Sequence, residues 1–121
     1  MNIYDRSHAY KINTSEADPF GIPVHDPGAK LDEGKLLAGI LQQWPRALDA
    51  VLQVATFGAR KYSRGGFLQV ENGPERYTDA MFRHLLKEPL EDVDQDSGMP
   101  HEWHTAWNAL SRLELMLQET E

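Results

Sequence analysis

Three stretches of this chain return their apolar residues with the period of an α-helix, and each opens at a proline. Proline suits the first helical position, where its missing N–H is no loss and its fixed φ is already helical. After Pro45, the residues Leu48, Val51, Leu52, Ala55, Ala59 and Tyr62 follow the i, i+3, i+4, i+7 template. Gly58 interrupts this helix at a cost of about 1 kcal/mol relative to alanine, and Gly65-Gly66 marks its end. A second helix is expected from Pro74 to Leu86, with Asn72 as its cap and Tyr77, Ala80, Met81, His84 and Leu85 on one stripe; Pro89 closes it. The third opens at Pro100 and runs nearly to the end, with Trp103, Ala106, Trp107, Leu110, Leu113 and Leu117 on its apolar face. No strand-like alternation of useful length competes with these patterns. The fold expected is all-α: a small bundle of three main helices plus a short helical piece within Leu36–Leu41.

The first 29 residues differ. Pro19, Gly21, Pro23, Pro27 and Gly28 punctuate them without sustained period, which predicts an extended N-terminal arm over residues 1–29, preceding a helical domain over residues 30–121. Ile3, Tyr4, Phe20, Ile22 and Val24 are the candidate anchors for that arm. With 121 residues, 40% of them hydrophobic, the chain has material for one core and is too apolar for wholesale disorder. Nothing approaches the roughly 18 apolar residues of a membrane span. The start lacks a secretory pattern, and there are no cysteines, so the cytoplasm is the expected location. A net charge of −7 argues against binding a nucleic-acid polymer, but not against a single nucleotide that arrives with a metal ion. Two tryptophans on one helix face, Trp103 and Trp107, serve either as core or as a subunit contact; a homo-oligomer is expected.

Candidate chemistry concentrates between Asp79 and Asn108. His101, His104 and Asn108 share a helical strip roughly opposite the tryptophan face, so the same core does not explain them. Near a helix start the macrodipole disfavours imidazolium, and neutral imidazole is the form that ligates metal or accepts a proton. Just before them lies an acidic loop with Glu91, Asp92, Asp94 and Asp96, suited to a hard divalent cation and otherwise an ordinary solvated turn. Gly98 permits a sharp bend there, and the helix start after Pro100 suits an anion such as phosphate. His84 lies on an apolar stripe, where a core role competes with a role in a shared cleft beside Arg83. Asp79 and Arg83 have the spacing of a simple surface ion pair. Lys30, Lys35, Lys61 and Arg64 flank glycine-containing turns and are further phosphate candidates. The phosphate-binding P-loop, the His-Glu-x-x-His pair and the Gly-x-Ser-x-Gly elbow are all missing.

Taken in order, several motifs resemble one family: Lys30-x-Asp-x-Gly-Lys35, Phe57-Gly-Ala-x-Lys-Tyr62 with Gly66-Phe67, Arg83-His-Leu85, and Glu91-x-x-Asp-x-Asp-Ser-Gly-x-Pro-His-x-x-His104 with Asn108. Over residues 29–118 the chain resembles the phage and prophage family described as the N-terminal domain of dATP/dGTP diphosphohydrolases. The resemblance implies metal-dependent hydrolysis of a deoxynucleoside triphosphate, with a purine base, to monophosphate and pyrophosphate. It also suggests kinship with the all-α, MazG-like pyrophosphatases, which assemble as dimers or tetramers. The Glu-x-x-Glu and Glu-x-x-Asp ligand pairs of those enzymes do not carry over, because the single Glu-x-x-Glu here, Glu88 to Glu91, contains Pro89.

On this reading Glu91, Asp94 and Asp96 hold Mg²⁺ or Mn²⁺. His104, with His101 nearby, orients or deprotonates water, and Asn108 fixes the His104 ring. Lys35, Lys61, Arg83 and His84 contact the substrate. Two rivals stand beside it: a non-catalytic phage accessory protein that binds a nucleotide or a host protein, and a hydrolase of a nucleotide signal.

Overall fold

The computed structural model describes residues 9–10 and 16–118. It is all-helical among these residues, with three long helices: α1 (Pro45–Lys61), α2 (Gly73–Lys87) and α3 (His101–Gln118). Two short 3₁₀ helices accompany them, Ala38–Gln43 and Gly66–Gln69. The first stands two residues beyond the start expected for the short helical piece. The second was not legible, because Gly65-Gly66 reads as a stop; Gly65 does take the left-handed conformation that ends α1's exit turn, and the chain recoils after it. None of the helices among the described residues is long and apolar enough to cross a membrane.

Contacts gather the chain into two compact units, one ending at Gln43 and the other running from Trp44 onward. In the first, residues 16–37 form turns without helix. Asp18 organises them: its carboxylate accepts from the backbone N–H groups of Lys30 at 2.8 Å, Phe20 at 2.7 Å and Ile22 at 3.4 Å. These bonds, led by that from Lys30, lower the Asp18 pKa. Of the expected anchors, Phe20 and Val24 are exposed, and Ile3 and Tyr4 lie outside the described residues. The arm is therefore gathered by a carboxylate rather than by those two apolar side chains.

In the helical unit, α2 and α3 form the principal pair and α1 packs on α3. Pro45 occupies the start of α1, and the Tyr62 N–H bonds Gly58 O at its end. Asn72 precedes α2 but makes no side-chain cap; it takes a left-handed φ of 55° and accepts from Arg76 N through its backbone carbonyl. Gly73 follows, buried against Leu115 of α3. Farther along the pair, the Arg112 Nε–H donates to Thr78 Oγ1 at 2.6 Å.

The burial pattern departs from the sequence reading. On α1 the buried side chain is Val54, while Leu48, Leu52 and Tyr62 of the expected stripe are exposed. On α3 the inversion is larger. Leu110 and Leu113, on the apolar face read as either core or subunit contact, are 57% and 47% exposed, whereas His101 is 0% and Asn108 4% exposed. The strip opposite the tryptophan face, read as a candidate site rather than as core, is the one α3 turns inward, together with Ser111 and Leu115. Such a face is tolerable only if its polar groups are bonded. They are: no buried side-chain nitrogen or oxygen among the described residues lacks a partner.

Candidate functional site

The loop between α2 and α3 is built around Asp94. Its backbone N–H donates to Met99 O and its carbonyl accepts from Gly98 N, both at 2.8 Å. Gly98 closes the bend at φ 74°, a conformation glycine takes without the Cβ penalty. The Asp94 carboxylate accepts from Ser97 N at 2.9 Å and Asp96 N at 3.2 Å, which turns it back toward the start of α3. Burial pushes the Asp94 pKa up, but the hydrogen bonds from Ser97 and the nearby His104 and His84 rings outweigh it and lower it.

Three imidazoles meet beside this carboxylate. His101, the first residue of α3, is fully buried, with Nδ1 2.9 Å from His84 Nδ1 and Nε2 2.9 Å from Glu91 Oε2. One turn on, the His104 ring stacks on His84 at 4.5 Å between centroids and 12° between planes. His104 Nε2 lies 2.6 Å from Ser97 Oγ and 4.0 Å from Asp94 Oδ2, and the Phe57 ring of α1 meets His104 edge-on. Ser97 Oγ also accepts from Met99 N at 3.1 Å. Burial is the main force on both cleft-facing rings. It lowers His84 to about 4 and also lowers His104, where the Asp94 charge works against it. Both are neutral at neutral pH.

A cleft of about 1170 Å³ opens beside the cluster. His84, His104 and Asp94 line it, as do Arg60, Lys61, Arg64, Arg76 and Arg83. Those five cations meet three carboxylates there, from Asp79, Asp94 and Asp96, in a chain whose acids as a whole outnumber its bases 19 to 12. The cleft therefore favours an anion that the chain as a whole would repel. Part of its wall is aromatic: Trp107 meets Phe67 and Tyr77 edge-on, each at 5.6 Å between centroids.

The structure thus brings together Asp94, His84, His101 and His104, with Glu91 behind His101. Asp96 is exposed and paired with Lys61. Asn108 is buried and lines the cleft, but its Nδ2 donates to the His104 backbone carbonyl at 2.8 Å and not to the ring. Ser97, His84 and Phe57 hold the ring in its place. Arg83 lines the cleft with His84; no ion pair joins it to Asp79 among the described residues. Lys35 belongs to the N-terminal unit, where its Nζ lies 4.0 Å from Glu16. Sequence reasoning missed Ser97 as the partner of His104 and Trp107 as a cleft wall. The first had a signal, since a serine at the end of an Asp-x-Asp-Ser bend can reach a histidine in the next helix. The second had none, because a tryptophan on an apolar stripe reads as core.

A family model described as dATP/dGTP diphosphohydrolase, N-terminal, matches residues 25–121, a span that contains every group of the cleft and cluster. No curated protein and no solved structure matches the chain significantly.

Proposed function

The chain belongs to the dATP/dGTP diphosphohydrolase N-terminal family, and from that premise we propose that it hydrolyses a purine deoxynucleoside triphosphate to monophosphate and pyrophosphate with the help of a divalent cation, Mg²⁺ or Mn²⁺. One observation carries the reading. A neutral imidazole and an ionised aspartate, His104 and Asp94, line the same cleft as five cationic side chains. Polyphosphate hydrolysis needs those three components together: a proton acceptor, a cation-holding carboxylate and positive charge to offset the phosphates.

In the proposed reaction a water oxygen bonds to the α-phosphorus, the bond from that phosphorus to the α,β-bridging oxygen breaks, and pyrophosphate leaves with the bond's electrons. His104 accepts the water's proton; Ser97 Oγ, on its Nε2, keeps the ring aimed. Arg83, Lys61 and their cationic neighbours neutralise charge on the phosphate oxygens. Trp107 and Tyr77 offer the base an apolar wall, which suits the larger surface of a purine. The cluster fits a cation because it offers a carboxylate and imidazole nitrogens in the form that ligates. When bound, that cation polarises the phosphate and makes coordinated water more acidic.

Purified protein incubated with a panel of nucleotides and Mg²⁺ or Mn²⁺ tests this. Pyrophosphate should be released from dATP or dGTP, and His104→Ala, checked for folding by circular dichroism, should lower kcat by about 10²- to 10⁴-fold. Binding without turnover would favour a nucleotide-binding module, a reading the family's description as an N-terminal part also supports. Turnover confined to cyclic or alarmone nucleotides would favour a hydrolase of nucleotide signals.

The expected homo-oligomer is proposed to use the outer stripe of α3. Trp103, Ala106, Leu110 and Leu113 are spaced three and four apart, the seam spacing by which one helix packs on a second copy of itself. Light scattering on the wild type and on Leu110→Asp/Leu113→Asp checks it: the variant should be monomeric.

A further inference from the structure

We propose that His84, Asp94 and His101 form a mixed imidazole and carboxylate metal centre that selects a first-row transition cation, of the Mn²⁺ to Zn²⁺ series, over Mg²⁺. This deepens the hydrolase reading by naming the ligands and class of its cation, and it rests on that reading only for the cation's purpose. One ligand atom from each of the three residues lies within 4.8 Å of the others. Glu91 and Asp96, the other acids expected to bind metal, are engaged elsewhere, with His101 Nε2 and with Lys61.

The orientation of His101 is the strongest part of the case. A carboxylate can only accept, so Glu91 Oε2 at 2.9 Å keeps the His101 proton on Nε2. The Nδ1 lone pair is then presented to His84, whose own Nδ1 stands 2.9 Å away. Carboxylate to imidazole to metal is the arrangement by which an outer acid orients a ligating histidine and raises its basicity. In the absence of an ion, His84 Nδ1–H donates to His101 Nδ1. Moving that one proton to His84 Nε2 frees both Nδ1 lone pairs for an ion, with no change in the charge of either ring. Two nitrogens each about 2.1 Å from an ion are about 3.0 Å apart at a right angle and about 3.4 Å apart at the tetrahedral angle. The observed 2.9 Å is closer to the first, the six-coordinate case.

The donor set decides the class of ion. Mg²⁺ takes oxygen ligands and keeps much of its water, so two imidazoles, one of them fully buried, suit it poorly. Imidazole nitrogen suits the later first-row ions, with a carboxylate alongside to balance charge. Asp94 supplies that carboxylate, fixed by the Ser97 and Asp96 N–H groups.

The test uses the full chain stripped with chelator and probed with Mn²⁺ alone, without nucleotide. Loss of the free-ion paramagnetic resonance signal reads the stoichiometry, and pulsed resonance reads nitrogen coupling to bound Mn²⁺. One Mn²⁺ per chain is expected, with coupling to imidazole nitrogens and retention against about 100-fold excess Mg²⁺. His84→Gln should remove part of the nitrogen coupling. Glu91→Gln, which keeps the side chain's shape, should weaken binding by about 10- to 100-fold. His84 is half-buried and its glutamine variant can be checked for folding by circular dichroism, which avoids emptying the fully buried His101 position. Mn²⁺ bound without nitrogen coupling, displaced by equimolar Mg²⁺, or unaffected by His84→Gln would overturn the proposal. Coupled Mn²⁺ with no pyrophosphate release would leave the centre standing and sink the hydrolase reading; Mg²⁺-driven turnover without any coupling would do the reverse.

Discussion

Gly73→Ala tests the helix pairing that brings His84 to His101. In the first turn of an exposed helix this substitution usually stabilises, by up to about 1 kcal/mol, because alanine has less backbone freedom to lose. Here a Cβ built on Gly73 falls 2.6 Å from Leu115 Cδ1, and Leu115 is only 6% exposed. Real side chains do not tolerate that approach, so Leu115 must leave its rotamer or α2 must shift. Overpacking of this kind costs about 1–3 kcal/mol. The net expectation is a loss of about 0.5–2 kcal/mol, read as the urea midpoint at unchanged slope, or as a fall in Tm of several degrees. The Leu115→Ala background removes the obstructing methyl. There Gly73→Ala should become neutral or stabilising, giving a coupling of about 1–2 kcal/mol in the double-mutant cycle. A Gly73→Ala single variant that is more stable than wild type, with no coupling to Leu115, would refute the α2–α3 packing described above.

Other expectations follow from the site. Ser97→Ala should lower kcat while leaving KM nearly unchanged in pyrophosphate-release assays, because Ser97 holds the His104 ring and does not reach into the phosphate subsite. Lys61→Met should raise KM several-fold yet leave the urea midpoint nearly unchanged, since its partner Asp96 is exposed and such surface pairs are weak; a large loss of stability in denaturant titration would contradict this. Trp107→Ala, which loses edge contacts with Phe67 and Tyr77, should cost about 2–3 kcal/mol of stability and weaken nucleotide binding more than Trp107→Phe does, as read by calorimetry. For pH, His84 is held near 4 by burial, below its unfolded value of 6.5, and His104 is lowered in the same direction. The unfolded chain therefore takes up these protons first. The stability these two neutral rings contribute is present above pH 6.5 and is lost as the pH drops from there toward 4; below that, protonation of Asp94, whose pKa is lowered, continues the loss. Chemical denaturation across that window should show the slope, and His84→Gln should flatten it.

The positions of the helices were present in the sequence. Pro45, Pro74 and Pro100 lie at or beside the three helix starts, and Gly65 and Pro89 fall where α1 and α2 give out, because dihedral limits on proline and glycine are local and act whatever the rest of the chain does. The neighbourhood of the site was legible for a similar reason: the acids and imidazoles from Glu91 to His104 are adjacent in the chain, so a single bend suffices to gather them. Tertiary packing alone decided which side of each helix turned inward. Periodicity specifies two opposite stripes on α3 but says nothing of which one the neighbouring helices present partners for. The His101, His104 and Asn108 stripe goes inside because Glu91, Ser97, His84 and the α3 backbone supply its hydrogen bonds, leaving Leu110 and Leu113 to face outward. His84 joins the site from α2 for the same reason, since a contact across 17 residues depends on two helices lying side by side and no local rule encodes it.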